Sequence, residues 1–507
     1  MEKYLDIASL INSDFYIKKQ RLSWHIDHAE YNKFANDLYN LLENFEFDKV
    51  ENEIFQIVKN EIYISLTQYI SHVYDFIILS QKNIKPIYSK ESNIYIDPIW
   101  QKKTIIDTFS LDLEKKRKKH NLIKYIYSSL TKKISKNFFK FIITSQNQLS
   151  LEFTEKIRYN CFKILPAYYF PINLEKNNIS KNLSERISYK IFLMINEFYF
   201  DLNIDHKKSI NFIIEVNLSR AFNDLKIYDG FLKKTKNIIT GTGNNYHNRL
   251  ISNLSKKHGS KIWRFNHGGE RFFFDDNIYW KNEFFQTDIY ITYGVKWLDY
   301  IKKRAKQLKK EIQVNTIGSK YHKKIFDLHF SKKKTYLKKI LYIPNSFVSE
   351  GRQFPNSKII DPILYDWQKY LLEILKRFKF EVTYKTHPKG FHQKINNLDI
   401  FTNYKTNKSM IESLKYADTV ILDYLGSAFV EALCAGKDII YIDMKQRPYD
   451  QDNFKDFNSF IKVVTAYNKD GVFYLNVDEL IDAINTPHKD IEKQEKIVND
   501  YFLKIED

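Results

Sequence analysis

Two histidine loops and one glycine-serine turn carry most of the chemistry that the sequence offers. In "FNHGGERFFFDD" (265–276), His267 precedes Gly268 and Gly269, so an imidazole sits on a backbone with almost nothing in front of it. Imidazole exchanges a proton near neutral pH, which suits a general base. The same residues also read as a tight turn that tolerates positive φ, with the histidine incidental. Glu270 follows, and beyond three phenylalanines Asp275 and Asp276 are competing bases. Adjacent acids on an extended segment point to opposite sides, which argues against a paired-carboxylate metal site, and no metal is expected.

In "YKTHPKG", Lys385, His387 and Lys389 surround Pro388. Three cations within five positions suit a phosphate, although a basic surface loop has the same composition. "ILDYLGSAFVEALCAG" ends an apolar run at Asp423, turns through Gly426 and opens a helix at Ser427. The free amides and dipole of that helix start attract a phosphate. Glu431, one turn later, faces the same mouth and can accept hydrogen bonds from ribose hydroxyls. A plain N-cap and a surface acid are the structural alternative. "ITGTGNNYHN" (239–248) contains half of a dinucleotide fingerprint; without a third glycine it reads as a tight strand-to-helix turn. In a functional role, the amides of Gly241 and Gly243, with Asn244 and Asn245, touch an acceptor.

The elements around these residues explain their placement. Residues 1–235 are mostly helical in pattern ("YNKFANDLYNLLENF", "IFLMINEFYFDLNI"), with a few strands such as "NIKPIYS". From about 235, short apolar runs alternate with amphipathic helices, the signal of βαβ units in a parallel sheet. A second such series begins near 338 with "KKILYIPNSF" and runs through "DTVILDY" and "KDIIYID". Each chemical signal falls at the carboxyl end of a strand, where ligands of doubly wound folds bind. Two facing units would form a cleft lined by those ends.

The 507 residues exceed one ordinary core, and the 43% hydrophobic and 16% aromatic content excludes disorder. Two distant cysteines, Cys161 and Cys434, make neither a disulfide framework nor a zinc site and fit a reducing cytoplasm. No run approaches the roughly 20 apolar residues of a membrane span. The net charge of +19 suits an anionic neighbour, or simply a lysine-rich genome. Its lysines are scattered, so nucleic acid is not an expected partner.

The order of these motifs is informative. A histidine-glycine loop, a basic HP loop, and an Asp-Tyr-x-x-Ser helix start followed by "AGKDIIYID" together resemble GT-B-fold transferases of bacterial surface polymers. They are similar both to CDP-glycerol glycerophosphotransferases of teichoic acid synthesis and to surface-polysaccharide glycosyltransferases of O-antigen or capsule type. The resemblance spans about residues 235–445. It implies an α/β, GT-B-like fold of two facing Rossmann-like domains with a largely helical N-terminal extension. The corresponding division is an acceptor-side domain over 1–325 (helical to 235, α/β core from 235), a nucleotide-donor domain over 326–480, and a C-terminal helix over 481–507 returning to the first domain.

Carried over residue by residue, the resemblance implies that His387 and Ser427 contact the donor phosphate and Glu431 the ribose. His267 is then the base for the acceptor hydroxyl. Lys385, Pro388, Lys389, Asp423 and Gly426 complete the donor side, and Gly268, Gly269 and Glu270 join the 241–245 turn on the acceptor side. Lys385 stands where the teichoic relatives usually carry arginine, and their aspartate-rich continuation after the serine is missing here. Both departures favour sugar transfer over polyol-phosphate transfer. The implied enzyme is inverting and metal-independent, takes a nucleotide-activated sugar (CMP-activated favoured) as substrate with no further cofactor, and acts on a glycan or lipid-linked glycan. A cytoplasmic protein with peripheral contact to anionic membrane follows. The alternatives are a CDP-polyol phosphotransferase and a non-catalytic basic adaptor for nucleic acid or membrane.

Overall fold

The computed structural model describes residues 2–4, 9–10, 20–87, 141–157, 161–163, 178–232, 235–330, 339–347, 359–386, 397–457, 460–486 and 490–504. The first of these form β1 (Glu2–Tyr4), α1 (His28–Glu43), α2 (Lys49–Gln81) and β2 (Lys85–Ile87), with β1 and β2 paired. Asp27 and Asp48 start the two helices by accepting backbone N–H groups, while Glu30 and Glu51 bond back to them, so both ends are satisfied reciprocally.

The first large sheet has six parallel strands in the order β4-β3-β5-β6-β7-β8. Along the chain it runs β3 (Phe141–Ile143), α3 (Gln148–Lys156), β4 (Cys161–Lys163), α4 (Asn178–Phe198), α5 (Ile204–Leu232), β5 (Asn237–Thr240) and α6 (Tyr246–Lys257). It continues with β6 (Lys261–Phe265), α7 (Asn277–Glu283), β7 (Ile289–Thr292), α8 (Val295–Gln307), β8 (Gln313–Thr316) and α9 (Lys320–His329). Residues 1–235 are therefore not helical alone. They supply β3 and β4, and β3 pairs directly with β5. These strands are only three residues long, too short to register a period of two.

The second sheet consists of β9 (Lys339–Ile343), β10 (Glu381–Lys385), β11 (Tyr404–Thr406), β12 (Thr419–Leu422), β13 (Asp438–Asp443), β14 (Ile461–Lys469) and β15 (Val472–Leu475). Their spatial order is β11-β10-β9-β12-β13-β14-β15, and only β15 is antiparallel. The accompanying helices are α10 (Asp361–Arg377), α11 (Met410–Leu414), α12 (Ser427–Cys434), α13 (Gln451–Phe457), α14 (Val477–Asn485) and α15 (Ile491–Val498). Every residue of β12 and β13 is buried, as a parallel sheet covered on both faces requires. The winding reverses between β9 and β12 in this sheet and between β3 and β5 in the first. Ligands of doubly wound sheets bind at such reversals. The α/β expectation of two facing doubly wound domains describes this architecture.

The segments at the two ends of the chain cross over. Arg21 donates to Asp366 (2.8 Å) and to the Phe473 carbonyl (2.7 Å), stacks 4.0 Å over Tyr370, and brings Leu22 and Trp24 onto the second domain. Conversely α15 packs on α12, and a π-helical turn, Asn499–Leu503, reaches the first domain: Gly294 N–H donates to the Tyr501 carbonyl and Ser319 N–H to that of Phe502. One hydrophobic cluster runs continuously from the first sheet to the second through these residues. Among the described residues no helix is long and apolar enough to cross a membrane.

Candidate functional site

The His-Gly-Gly loop is fixed from both sides of the sheet edge. Asn147, after β3, donates its side-chain amide to the carbonyls of Gly241 (2.9 Å), Phe265 (2.8 Å) and Asn266 (3.1 Å), joining the ends of three strands. Gly268 and Gly269 both have left-handed φ, +78° and +79°, which an L side chain reaches only at a cost. A Cβ at Gly268 would lie 2.0 Å from a Glu270 carboxylate oxygen, and one at Gly269 would lie 3.1 Å from the Phe502 ring and 3.6 Å from Val430 of α12. The turn reading therefore accounts for the glycines. It does not account for His267, which stays exposed above them.

Beneath the histidine lies Glu283, fully buried on α7. It accepts from Gly243 N–H (3.0 Å), the Thr242 hydroxyl (2.9 Å) and the Asn244 side chain (3.0 Å), which pins the 241–244 turn to this loop. Burial pushes its carboxyl upward; Arg264, these hydrogen bonds and nearby His267 pull it back. Gly241 N–H bonds Ser145, and Asn245 caps α6 by accepting from Asn248. Glu270 is buried beside Arg271, 3.5 Å away.

The two neighbouring acids take structural work instead of facing the cleft as bases. Asp276 caps α7, accepting from Tyr279 N–H at 2.9 Å. Asp275 pairs with Arg304 at 3.0 Å, and Arg304 also reaches Asp450 of the second domain at 2.9 Å. The phenylalanines that precede them bolt the domains together. Phe272 stacks on Tyr501, Phe273 meets Phe429 and Phe457, Phe274 bridges to Tyr449, and Asp450 N–H donates to the Phe273 carbonyl.

On the opposite wall, Lys385 closes β10 with its ammonium donating to the Lys408 carbonyl; burial lowers its pKa and Glu431 opposes that shift. His387, Pro388 and Lys389 lie outside the described residues. Asp423 turns inward, contrary to a ligand-contacting role. It is 1% exposed and accepts from the Tyr342 hydroxyl (2.6 Å), the Trp367 indole (3.2 Å) and Asn345 N–H, stapling β9 to β12 where the winding reverses. Burial raises its pKa to about 6 against those hydrogen bonds. Gly426 caps α12 with no side chain, and Ser427 is exposed at the helix start. Glu431 accepts from the Tyr321 hydroxyl of α9 at 2.6 Å, and burial pushes its pKa to about 7 against the pull of Tyr321 and Lys385.

Scans of protein-family models and of curated proteins found no match. Solved structures with a similar chain trace include a glycosyltransferase from Rickettsia africae ESF-5, with 12% identity and a TM-score of 0.38, covering 72% of this chain and 95% of that one. A UDP-glucosyltransferase from Polygonum tinctorium (10% identity, TM-score 0.38) covers 71% of this chain and 92% of its own. MurG from Acinetobacter baumannii (8% identity, TM-score 0.33) covers 71% and 97%. Superposition this loose is no measure of function, which rests on the site itself.

The structure thus brings Gly269 against α12, and places Lys385 near Glu431. Sequence reading did not find Asn147, Glu283 or Tyr321. A lone acid in the aromatic run "YWKNEFF" was a usable signal for Glu283; Asn147 and Tyr321 gave none, because their partners lie about a hundred residues away.

Glu431 makes a pH prediction. A carboxyl at about 7 in the folded protein and near 4.5 unfolded holds a proton that the unfolded chain has lost. Its contribution to stability is complete below about 4.5 and disappears as pH rises through 7. The melting temperature of the wild type minus that of Glu431→Gln should therefore fall between pH 5 and 8. A difference that rises or stays flat over that range would show that the carboxyl is not held protonated.

Proposed function

We propose that the protein is an inverting, metal-independent glycosyltransferase that moves a sugar from a nucleotide-activated donor, CMP-activated by preference, to a surface-glycan or lipid-linked acceptor. One observation carries this reading. The His267 loop and the helix that opens at Ser427 meet where the two domains pack, a Cβ built at Gly269 lying 3.6 Å from Val430, and Tyr321 of the first domain is bonded to Glu431 of the second. A base from one domain and a phosphate-and-ribose cradle from the other is the division of labour that sugar transfer needs.

In that reading His267 takes the proton of the acceptor hydroxyl as its oxygen attacks the anomeric carbon, and the bond to the nucleotide phosphate breaks on the opposite face. Direct displacement inverts the centre. The departing phosphate gains negative charge, which Lys385, His387 and the amides opening α12 stabilise. Asp275 and Asp276, held as an ion-pair partner and a helix cap, are ill placed to share a metal or to act as base. The enzyme works in the cytoplasm, with basic surface available for anionic lipid.

Nucleotide release from CMP-, CDP- and UDP-activated sugars, with CDP-glycerol alongside, tests this. Turnover with a CMP-sugar is expected. Turnover with CDP-glycerol alone would reassign the enzyme to polyol-phosphate transfer, and no turnover or nucleotide binding at all would remove the reading. In the same panel His387→Ala should weaken nucleotide binding by roughly ten- to a hundredfold, the value of one charge-assisted hydrogen bond. Unchanged affinity in calorimetry would take His387 out of the donor site.

A further inference from the structure

Glu431 already has a hydrogen-bond partner, and that partner comes from the other domain. The Tyr321 hydroxyl donates to it at 2.6 Å. Tyr321 is held in that position from below: the Glu152 carboxylate accepts from Lys320 N–H (2.8 Å), Tyr321 N–H (3.0 Å) and the Ser319 hydroxyl (3.3 Å), capping α9 and fixing its first turn. α9 is the last described helix before β9 opens the second domain, so the contact ties the domains at the side where the chain crosses.

We propose that Tyr321 is a placeholder: its hydroxyl holds the position on Glu431 that a substrate ribose hydroxyl takes, so a nucleotide that carries this hydroxyl displaces it and one that lacks it leaves it in place. This rests on the reading of Glu431 as the ribose acceptor. A phenol O–H and a sugar O–H present the same donor to one carboxyl oxygen, so the exchange conserves the hydrogen bond. Only a ligand that brings its own hydroxyl can release the tie to α9 without leaving a buried acceptor empty, at the usual penalty for such a group. A ribonucleotide thereby releases the tie to α9, where a molecule with a similar base and phosphate but no hydroxyl does not, and donor occupancy is coupled to loosening of one interdomain contact.

The test is a calorimetric titration with CMP and 2′,3′-dideoxy-CMP, repeated with the uridine pair. In Tyr321→Phe the ribonucleotide gains a hydrogen bond without breaking one, so its affinity should rise about five- to tenfold, the range of a single net hydrogen bond. The dideoxynucleotide should bind Tyr321→Phe and wild type alike. The ribo-to-dideoxy ratio therefore widens in Tyr321→Phe, and the widening should vanish when Glu431→Leu, which has no acceptor, is added to it; melting curves establish that both variants fold. A weaker ribonucleotide in Tyr321→Phe, or an unchanged ratio, overturns the placeholder role and leaves the transferase reading standing. No binding of any of the four nucleotides by wild type overturns both.

Discussion

His267→Ala is expected to reduce sugar transfer by roughly a hundredfold or more, the usual range for loss of a general base, while nucleotide affinity changes little. The separation follows from the domains. His267 stands on the loop after β6 in the first domain, and the residues proposed to hold the nucleotide stand on β10 and α12 in the second. The variant should fold normally, because the imidazole is exposed and the turn is built by the glycines behind it. Steady-state kinetics with a calorimetric nucleotide titration separate the two effects. Near-normal turnover would end the base assignment, and a parallel loss of nucleotide affinity would place the imidazole on the donor.

Gly269→Val should destabilise the joint between the domains. The new side chain would have to adopt φ near +79°, which costs about 1–2 kcal/mol for an ordinary residue and more for a β-branched one. It would also enter the space between Phe502, Tyr293 and Val430, where its first carbon alone has neighbours at 3.1, 3.4 and 3.6 Å. Overpacking of that kind adds roughly 1–3 kcal/mol. Because those neighbours come from both domains, the loss should appear as a melting temperature lowered by several degrees together with reduced turnover. Gly259→Val is the control. Its φ is +78°, with nothing within 4 Å of a built Cβ, so it isolates the backbone cost. Equal melting temperatures for the two variants would mean that the contact across the cleft contributes nothing.

Four strands of the second sheet, β9, β10, β12 and β13, were legible because they are apolar runs that stop close to a chemical punctuation mark, in "ILYIPN", "VTYKTHP", "VILDYLG" and "DIIYID"; β11, β14 and β15 were not read. β3 and β4 were not, since three residues carry no period and their pairing is decided by β5, far along the chain. In the site, the glycine pair was readable because left-handed backbone demands that residue. Asp423 was misleading for a related reason. Position at a strand end is written in the sequence, but whether the carboxylate turns outward depends on Tyr342 and Trp367 lying beneath it. The three phenylalanines after Arg271 had no role assigned from sequence. They are the joint between domains, and only the presence of Phe429, Phe457 and Tyr501 opposite gives them that role.

The crossing of the end segments sets an order of events during synthesis. Residues 20–26 leave the ribosome early, yet the surface that covers Leu22 and Trp24 is made by residues near 366, 370 and 473, hundreds of positions later. The first domain in turn lacks the turn at 499–503 that covers Gly294 and Ser319 until the whole second sheet has been made. Neither domain can complete its own surface before residue 503 is made, so the usual sequence of one finished domain followed by the next is replaced by a clasp that closes only then. Until then the nascent chain exposes a tryptophan, a leucine and an aromatic wedge to the cell's folding machinery, and a truncated chain would keep them exposed.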